Sequence, residues 1–148
     1  MTQTNETQEK SGWQPYSLDY YAQEIILRYR DKNNVLNESH KMRMAVAYGL
    51  ERFWGEHLRL KRENLDKSQY WKDVWDKLAD ILDDAEISLP NHDVTSTNSE
   101  QETRNIQAMA KAIWSMKLSE QRVALMVLTQ FCDALVWWTQ RYKKKKDN

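Results

Sequence analysis

Residues 119–148, SEQRVALMVLTQFCDALVWWTQRYKKKKDN, decide the fold. Val123, Ala124, Val127, Leu128, Phe131, Leu135, Trp138 and Tyr142 recur at steps of three and four residues, the spacing of one buried helix face. Leu125, Cys132 and Val136 run down a second side, and Met126 and Trp137 occupy a third. A helix apolar nearly all round is either the central helix of a bundle or one clamped between its own domain and a partner. The stretch closes on Arg141, Lys143, Lys144, Lys145 and Lys146, a basic end that points to an anionic neighbour. The combination predicts a docking protein rather than a catalyst.

The remaining composition agrees with a helical reading. Only three glycines and two prolines are present among 148 residues, few for a sheet protein with many tight turns, while seven tryptophans and seven tyrosines must supply much of the core. No apolar run reaches the length of about 18 residues that suggests a membrane span, and the first residues lack the apolar stretch of an export signal. The single cysteine, Cys132, cannot form an internal disulfide and fits a reducing compartment. The expectation is a cytoplasmic, all-α protein: one compact bundle of about five helices over residues 13–142, preceded by a disordered polar segment, 1–12, and followed by a basic tail, 143–148.

Five helices follow from the periodicity. The first starts at Ser17 and runs to about Lys32 on Leu18, Tyr21, Ala22, Ile25, Ile26 and Tyr29, before Asn33 and Asn34 break it. The second is capped by Asn37 or Ser39 and continues unbroken to about Asn64, with Met42, Val46, Gly49, Leu50, Phe53, His57 and Leu60 on its core face. The third spans Ser68 to Glu86 on Trp71, Val74, Trp75, Leu78, Ile81, Leu82 and Ala85, and Pro90 ends it. Ser99 and Glu102 make a capping box for the fourth, which carries Ile106, Met109, Ala110, Ile113 and Trp114, and Ser119 caps the fifth.

Motifs for catalysis are absent from this pattern. There is no glycine-rich phosphate loop, no pair of cysteines and no His-Glu-x-x-His, and His40, His57 and His92 are scattered. His57 reads as a satisfied core histidine and Cys132 as a small core residue. Neither a metal nor another cofactor is expected. Asp73, Asp76, Asp80 and Asp84 repeat at helical spacing on the third helix; Lys72 and Lys77 interrupt them, so a solvated face or a docking edge for a basic partner fits better than metal binding. Lys41, Arg52 and Arg59 are separated by eleven and seven residues, close to whole numbers of helical turns, with Tyr48 on the same side. A basic line with an aromatic ring in it can follow a phosphate backbone, although Glu56 and Glu63 flank it and offer ion pairs instead.

The charge is segregated although the formal net charge is zero. Residues 28–62 hold nine basic and four acidic side chains, residues 63–102 three and eleven, and residues 103–148 nine and three. Such blocks either neighbour one another within the fold or present opposite faces to partners, including further copies of the chain in open rows.

Two segments resemble the small helical subunit of type III CRISPR–Cas effector complexes, particularly the Csm type. Tyr20-Tyr21-Ala22 through Leu36-Asn37-Glu38-Ser39-His40-Lys41-Met42-Arg43 is similar to that family's early helix and its Leu-Thr-x-Ser-Gln-Ile-Arg helix start. Asp133-Ala134-Leu135-Val136-Trp137-Trp138, with Tyr142, resembles the family's last helix. Asn37, Glu38 and His40 depart from the pattern, Met42 and Arg43 align only with a one-residue slip, and a lysine run replaces the usual glycine ending. The resemblance implies a non-enzymatic subunit, present in several copies, that supports guide and target RNA through backbone contacts. Arg43 is the one basic residue it carries over.

The expected RNA-facing set is therefore Lys41, Arg43, Tyr48, Arg52, Arg59 and Lys143, Lys144, Lys145 and Lys146. Asp73, Asp76, Asp80, Leu125, Val136 and Trp137 are expected to meet neighbouring subunits. No membrane and no small-molecule substrate enter this expectation. Its alternative is a helical protein–protein adaptor that binds no RNA.

Overall fold

The computed structural model describes residues 15–145. The segment 1–12 and Lys146 lie outside the described residues. Within them the chain is all-helical, with six α-helices and no strand: α1 Pro15–Tyr29, α2 Glu38–Ala45, α3 Leu50–Lys61, α4 Leu65–Asp84, α5 Ser99–Trp114 and α6 Leu118–Tyr142. None of these helices is long and apolar enough to cross a membrane.

The expected five helices become six because the second is broken. After Ala45 the chain tightens into a 3₁₀ turn, Val46–Tyr48, and Gly49 then takes φ 96° and ψ 173°. That backbone region is essentially reserved for glycine, so Gly49 is a hinge between α2 and α3 rather than a member of one continuous core stripe. Its carbonyl accepts the Phe53 amide at 3.1 Å and starts α3. Gly55, by contrast, lies within α3 with open space where a Cβ would project.

Other boundaries shift by a few residues for identifiable reasons. The Asn64 side chain accepts the Lys67 amide at 3.1 Å and begins α4 ahead of Ser68, whose hydroxyl instead donates to the His57 carbonyl at 2.6 Å. At the other end Glu86 adopts φ 62°, and the Ile87 amide reaches back to Leu82 O at 2.8 Å. This left-handed ending stops α4 before Pro90 is reached. Asn98 rather than Ser99 caps α5, accepting the Gln101 amide at 3.0 Å.

Helix α6 is the centre of the molecule. It packs on α1 and α2, and also meets α3, α4 and the 3₁₀ turn. Ala124, Val127, Leu128, Phe131, Cys132, Ala134, Leu135 and Thr139 are buried along it, so the fold consumes most of its first apolar line and, from the second, Cys132. Across from it, α4 contributes Tyr70, Trp71, Val74, Trp75, Leu78, Ile81 and Leu82. Phe53 of α3 lies against the Trp71 ring at 4.9 Å, and each such ring buries a large apolar area. Helix α5 joins this core at its edge. It buries only Met109 and Ile113, leans on α3, and is tied to the preceding loop by Asn105, which donates to Val94 O at 3.4 Å.

Two polar contacts fix how the helices meet. Ser39 Oγ lies 2.6 Å from both Tyr70 Oη and Thr139 Oγ1, linking α2, α4 and α6 by hydroxyls with no access to water. Next to them the buried Glu38 accepts Trp71 Nε1 at 3.0 Å on one oxygen. Its other oxygen takes no hydrogen bond and is matched by the ammonium groups of Lys41 at 3.2 Å and Lys67 at 3.7 Å.

The two glycines give a paired prediction. Gly49→Ala should cost about 1–3 kcal/mol through its forbidden φ, whereas Gly55→Ala should gain up to about 1 kcal/mol by helix propensity. Urea unfolding should move the two midpoints in opposite directions at equal slope. A fully stable Gly49→Ala protein would contradict the hinge.

Candidate nucleic-acid interface

The expected basic stripe does not survive the hinge at Gly49. Lys41 lies before it on α2, where it serves the buried Glu38. Arg52 and Arg59 lie after it on α3. Arg59 is held by Glu56 at 2.8 Å and Glu63 at 3.0 Å, the intrahelical ion pairing that the flanking acids offered. Arg43 spans to α6 and donates to Asp133 Oδ1 at 2.6 Å, so the residue carried over by family resemblance is engaged between helices. Of the expected stripe, only Tyr48 and Arg52 come together as an open pair, with the guanidinium 5.5 Å from the centre of the exposed ring.

The lysine tail behaves differently. Where α6 ends, Lys143, Lys144 and Lys145 meet Arg30, Lys32, Asn33 and Asn34 of the α1–α2 connection across a cleft of about 790 Å³. Leu36, Asn37, Gln140 and, among the described residues, a single carboxylate, Asp31, complete its lining. Arg30 Nε donates to the Tyr142 carbonyl at 2.6 Å, satisfying an acceptor left over at the end of α6. Lys144 Nζ lies 2.5 Å from Asp31, and its hydrogen bond holds the Asp31 carboxyl below its ordinary range. Five cations thus face one anion. Part of that charge offsets the negative ends of the α1 and α6 dipoles, and the exposed lysines are open to an external anion.

Sequence reasoning missed Arg30 and Lys32, which lie more than a hundred residues from the tail. The available signal was their position at the end of the first apolar stripe, beside the Asn33-Asn34 break. Lys146 belongs to the same run but lies outside the described residues.

The residues expected to meet neighbouring subunits divide in two. Asp73 is absorbed, accepting Arg28 at 2.9 Å, Tyr29 Oη at 2.5 Å and Gln69 at 2.7 Å. Asp76 is held by Lys72 and by Asn91, the latter at 2.9 Å. Asp80 lies on the same helix side as the exposed Asp83 and Asp84 edge. On α6, Leu125 packs partly against the core and Val136 is half-buried, while Trp137 is 47% exposed. Trp137 borders a second hollow of about 410 Å³ with Leu18, Asp19, Gln130, Asp133, Ala134 and Trp138.

The histidines and the cysteine carry no catalytic arrangement. His40 and His92 are exposed, and Cys132 is buried, which pushes its thiol well above the ordinary range and keeps it protonated. Among the described residues no group of His, Cys, Asp and Glu is placed to hold a metal ion. Comparison with protein-family models, curated proteins and solved structures finds no match to this chain.

His57 gives this region a pH signature. Burial holds its imidazole below the ordinary 6.5, against the Trp54 carbonyl that accepts from Nδ1 at 2.5 Å and raises it; Lys72 and Lys61 add to the lowering. The unfolded chain therefore binds a proton at a higher pH than the folded one. The contribution of His57 to stability is fully present above the ordinary 6.5 and is lost as acid is added, from 6.5 down to the lower folded value. His57→Gln should flatten the fall in Tm between about pH 7 and 5. Parallel curves for the two proteins would show that His57 is not the group responsible.

Proposed function

We propose that this chain is a cytoplasmic, non-enzymatic structural subunit of a ribonucleoprotein that grips RNA by its phosphate backbone, without reading sequence. The basic cleft of Arg30, Lys32 and Lys143–Lys145 carries the reading. Lysines in a concave site release counterions when phosphates enter and impose no base preference. The resemblance to type III CRISPR small subunits narrows the proposal to a subunit of that kind, lining guide and target RNA beside other effector subunits. The Asp80, Asp83 and Asp84 edge complements the cleft in charge, which suits repeated copies laid head to tail.

The test is RNA binding measured over a range of salt. Wild type should bind RNAs of unrelated sequence alike and lose affinity steeply with salt. Replacing Lys32, Lys144 and Lys145 by alanine together should weaken binding and reduce the log–log salt slope by about 2, at about 0.7 per phosphate released from a single strand. Asp31→Asn should strengthen binding, since it removes the carboxylate that lines the cleft and releases Lys144. Replacing Lys41 and Arg59 should change little. Binding unaffected by the triple substitution would overturn the cleft assignment.

A protein–protein adaptor is the second reading, favoured by Trp114 at 75% exposed and Leu118 at 61% where α5 meets α6. Co-purification of one protein, indifferent to nuclease, would move it to first place.

A further inference from the structure

The last turns of α6 present an aromatic ring beside the basic cleft. The Arg141 guanidinium lies 3.6 Å from the centre of the Trp137 ring. Its Nη1 donates to the Trp137 carbonyl and to Gln140 Oε1, both at 3.2 Å, so the guanidinium is anchored over the ring. Gln140 is also a wall of the basic cleft. One side chain therefore joins the ring–guanidinium pair to the phosphate site. Trp138 supports Trp137 edge-to-face at 4.6 Å and donates to Asp19 Oδ1 at 2.9 Å. The acids nearest the ring, Asp19 and Asp133, are thus both occupied, Asp133 by Arg43.

An exposed tryptophan at a subunit surface is often a protein anchor. Here the surroundings favour nucleic acid. The ring carries a cation on its face, and residues 137, 140 and 141 follow the i, i+3, i+4 line of one helix side, one turn before the chain leaves the helix into Lys143–Lys145. Guanidinium planes and indole rings are the surfaces on which unpaired bases stack, whereas a paired base has no free face to offer. Resting on the RNA-binding proposal above, we infer that Trp137 and Arg141 form a stacking platform for one unpaired base whose neighbouring phosphates lie in the Arg30–Lys145 cleft. The ligand is single-stranded RNA; duplex RNA is held by the cleft alone.

The full chain should be titrated with a single-stranded oligoadenylate, a strand of equal length with abasic residues, and a duplex. Wild type should prefer the intact strand over the abasic strand by about 5- to 150-fold, the value of one stacked base. Trp137→Ala should erase that preference without changing the salt slope, and Trp137→Phe should restore much of it. Arg141→Lys, which keeps the charge and removes the plane, should weaken the intact strand several-fold and leave the abasic strand unchanged. Equal binding of intact and abasic strands by wild type, or a preference that survives Trp137→Ala, would overturn the platform while leaving the phosphate cleft intact. Absence of binding to every RNA would overturn both. Loss of a protein partner on Trp137→Ala, with RNA binding unchanged, would assign the ring to an adaptor surface instead. Trp137 is about half exposed, and Arg141→Lys tests the platform independently should Trp137→Ala disturb folding.

Discussion

Ser39, Tyr70 and Thr139 come from three different helices and, among the described residues, have only one another to satisfy their hydroxyls. A buried hydroxyl left without a partner costs about 1–3 kcal/mol, so rotation or sliding of α6 against α2 and α4 carries a penalty that apolar packing alone would not impose. Thr139 stands between Trp137 and Trp138 on one side and Gln140 and Arg141 on the other. The interaction that fixes the register of the central helix therefore also fixes the turn that carries the proposed site. Glu38, one residue from Ser39, reinforces the junction through Trp71 and two lysines.

The segregated charge of the sequence is resolved in two ways. Part of the acidic block is consumed internally: Asp73 gathers Arg28, Tyr29 and Gln69, and Asp76 gathers Lys72 and Asn91. Some basic residues of the middle of the chain are paired as well, Arg43 with Asp133 and Arg59 with two glutamates. One basic cluster forms where the ends of α1 and α6 meet, with Asp31 among five cations. Net neutrality thus coexists with a local positive field, which is the form of charge that steers an anionic polymer.

Much of the fold is legible in the sequence, for a physical reason. The apolar periodicities of α1, α4 and α6 are consequences of burial, and Leu18, Ile25, Trp71, Trp75, Phe131 and Leu135 lie in the core as their spacing predicts. Helix ends are less legible, because Asn64 and Asn98 cap as well as the serines that follow them and only the geometry chooses. The break in the second helix is hidden because helical spacing on either side of Gly49 is compatible with continuity, and the positive φ that ends it leaves no mark on the periodicity. The Lys41–Arg52–Arg59 line fails with it, since that line requires a common axis. The cleft is half visible: the lysine run announces itself, but its partners Arg30 and Lys32 are brought to it only by the packing of α1 along α6.

The central claim is that RNA enters at the shared end of α1 and α6. The most direct test is an amide and indole NMR titration of the ¹⁵N-labelled chain with a short single-stranded RNA. The account predicts shifts clustered at Arg30–Asn34 and Gln140–Lys145, together with the Trp137 indole, and quiet signals along Lys41 and Arg59. Shifts centred on α2 and α3, or none at saturating RNA, would contradict it.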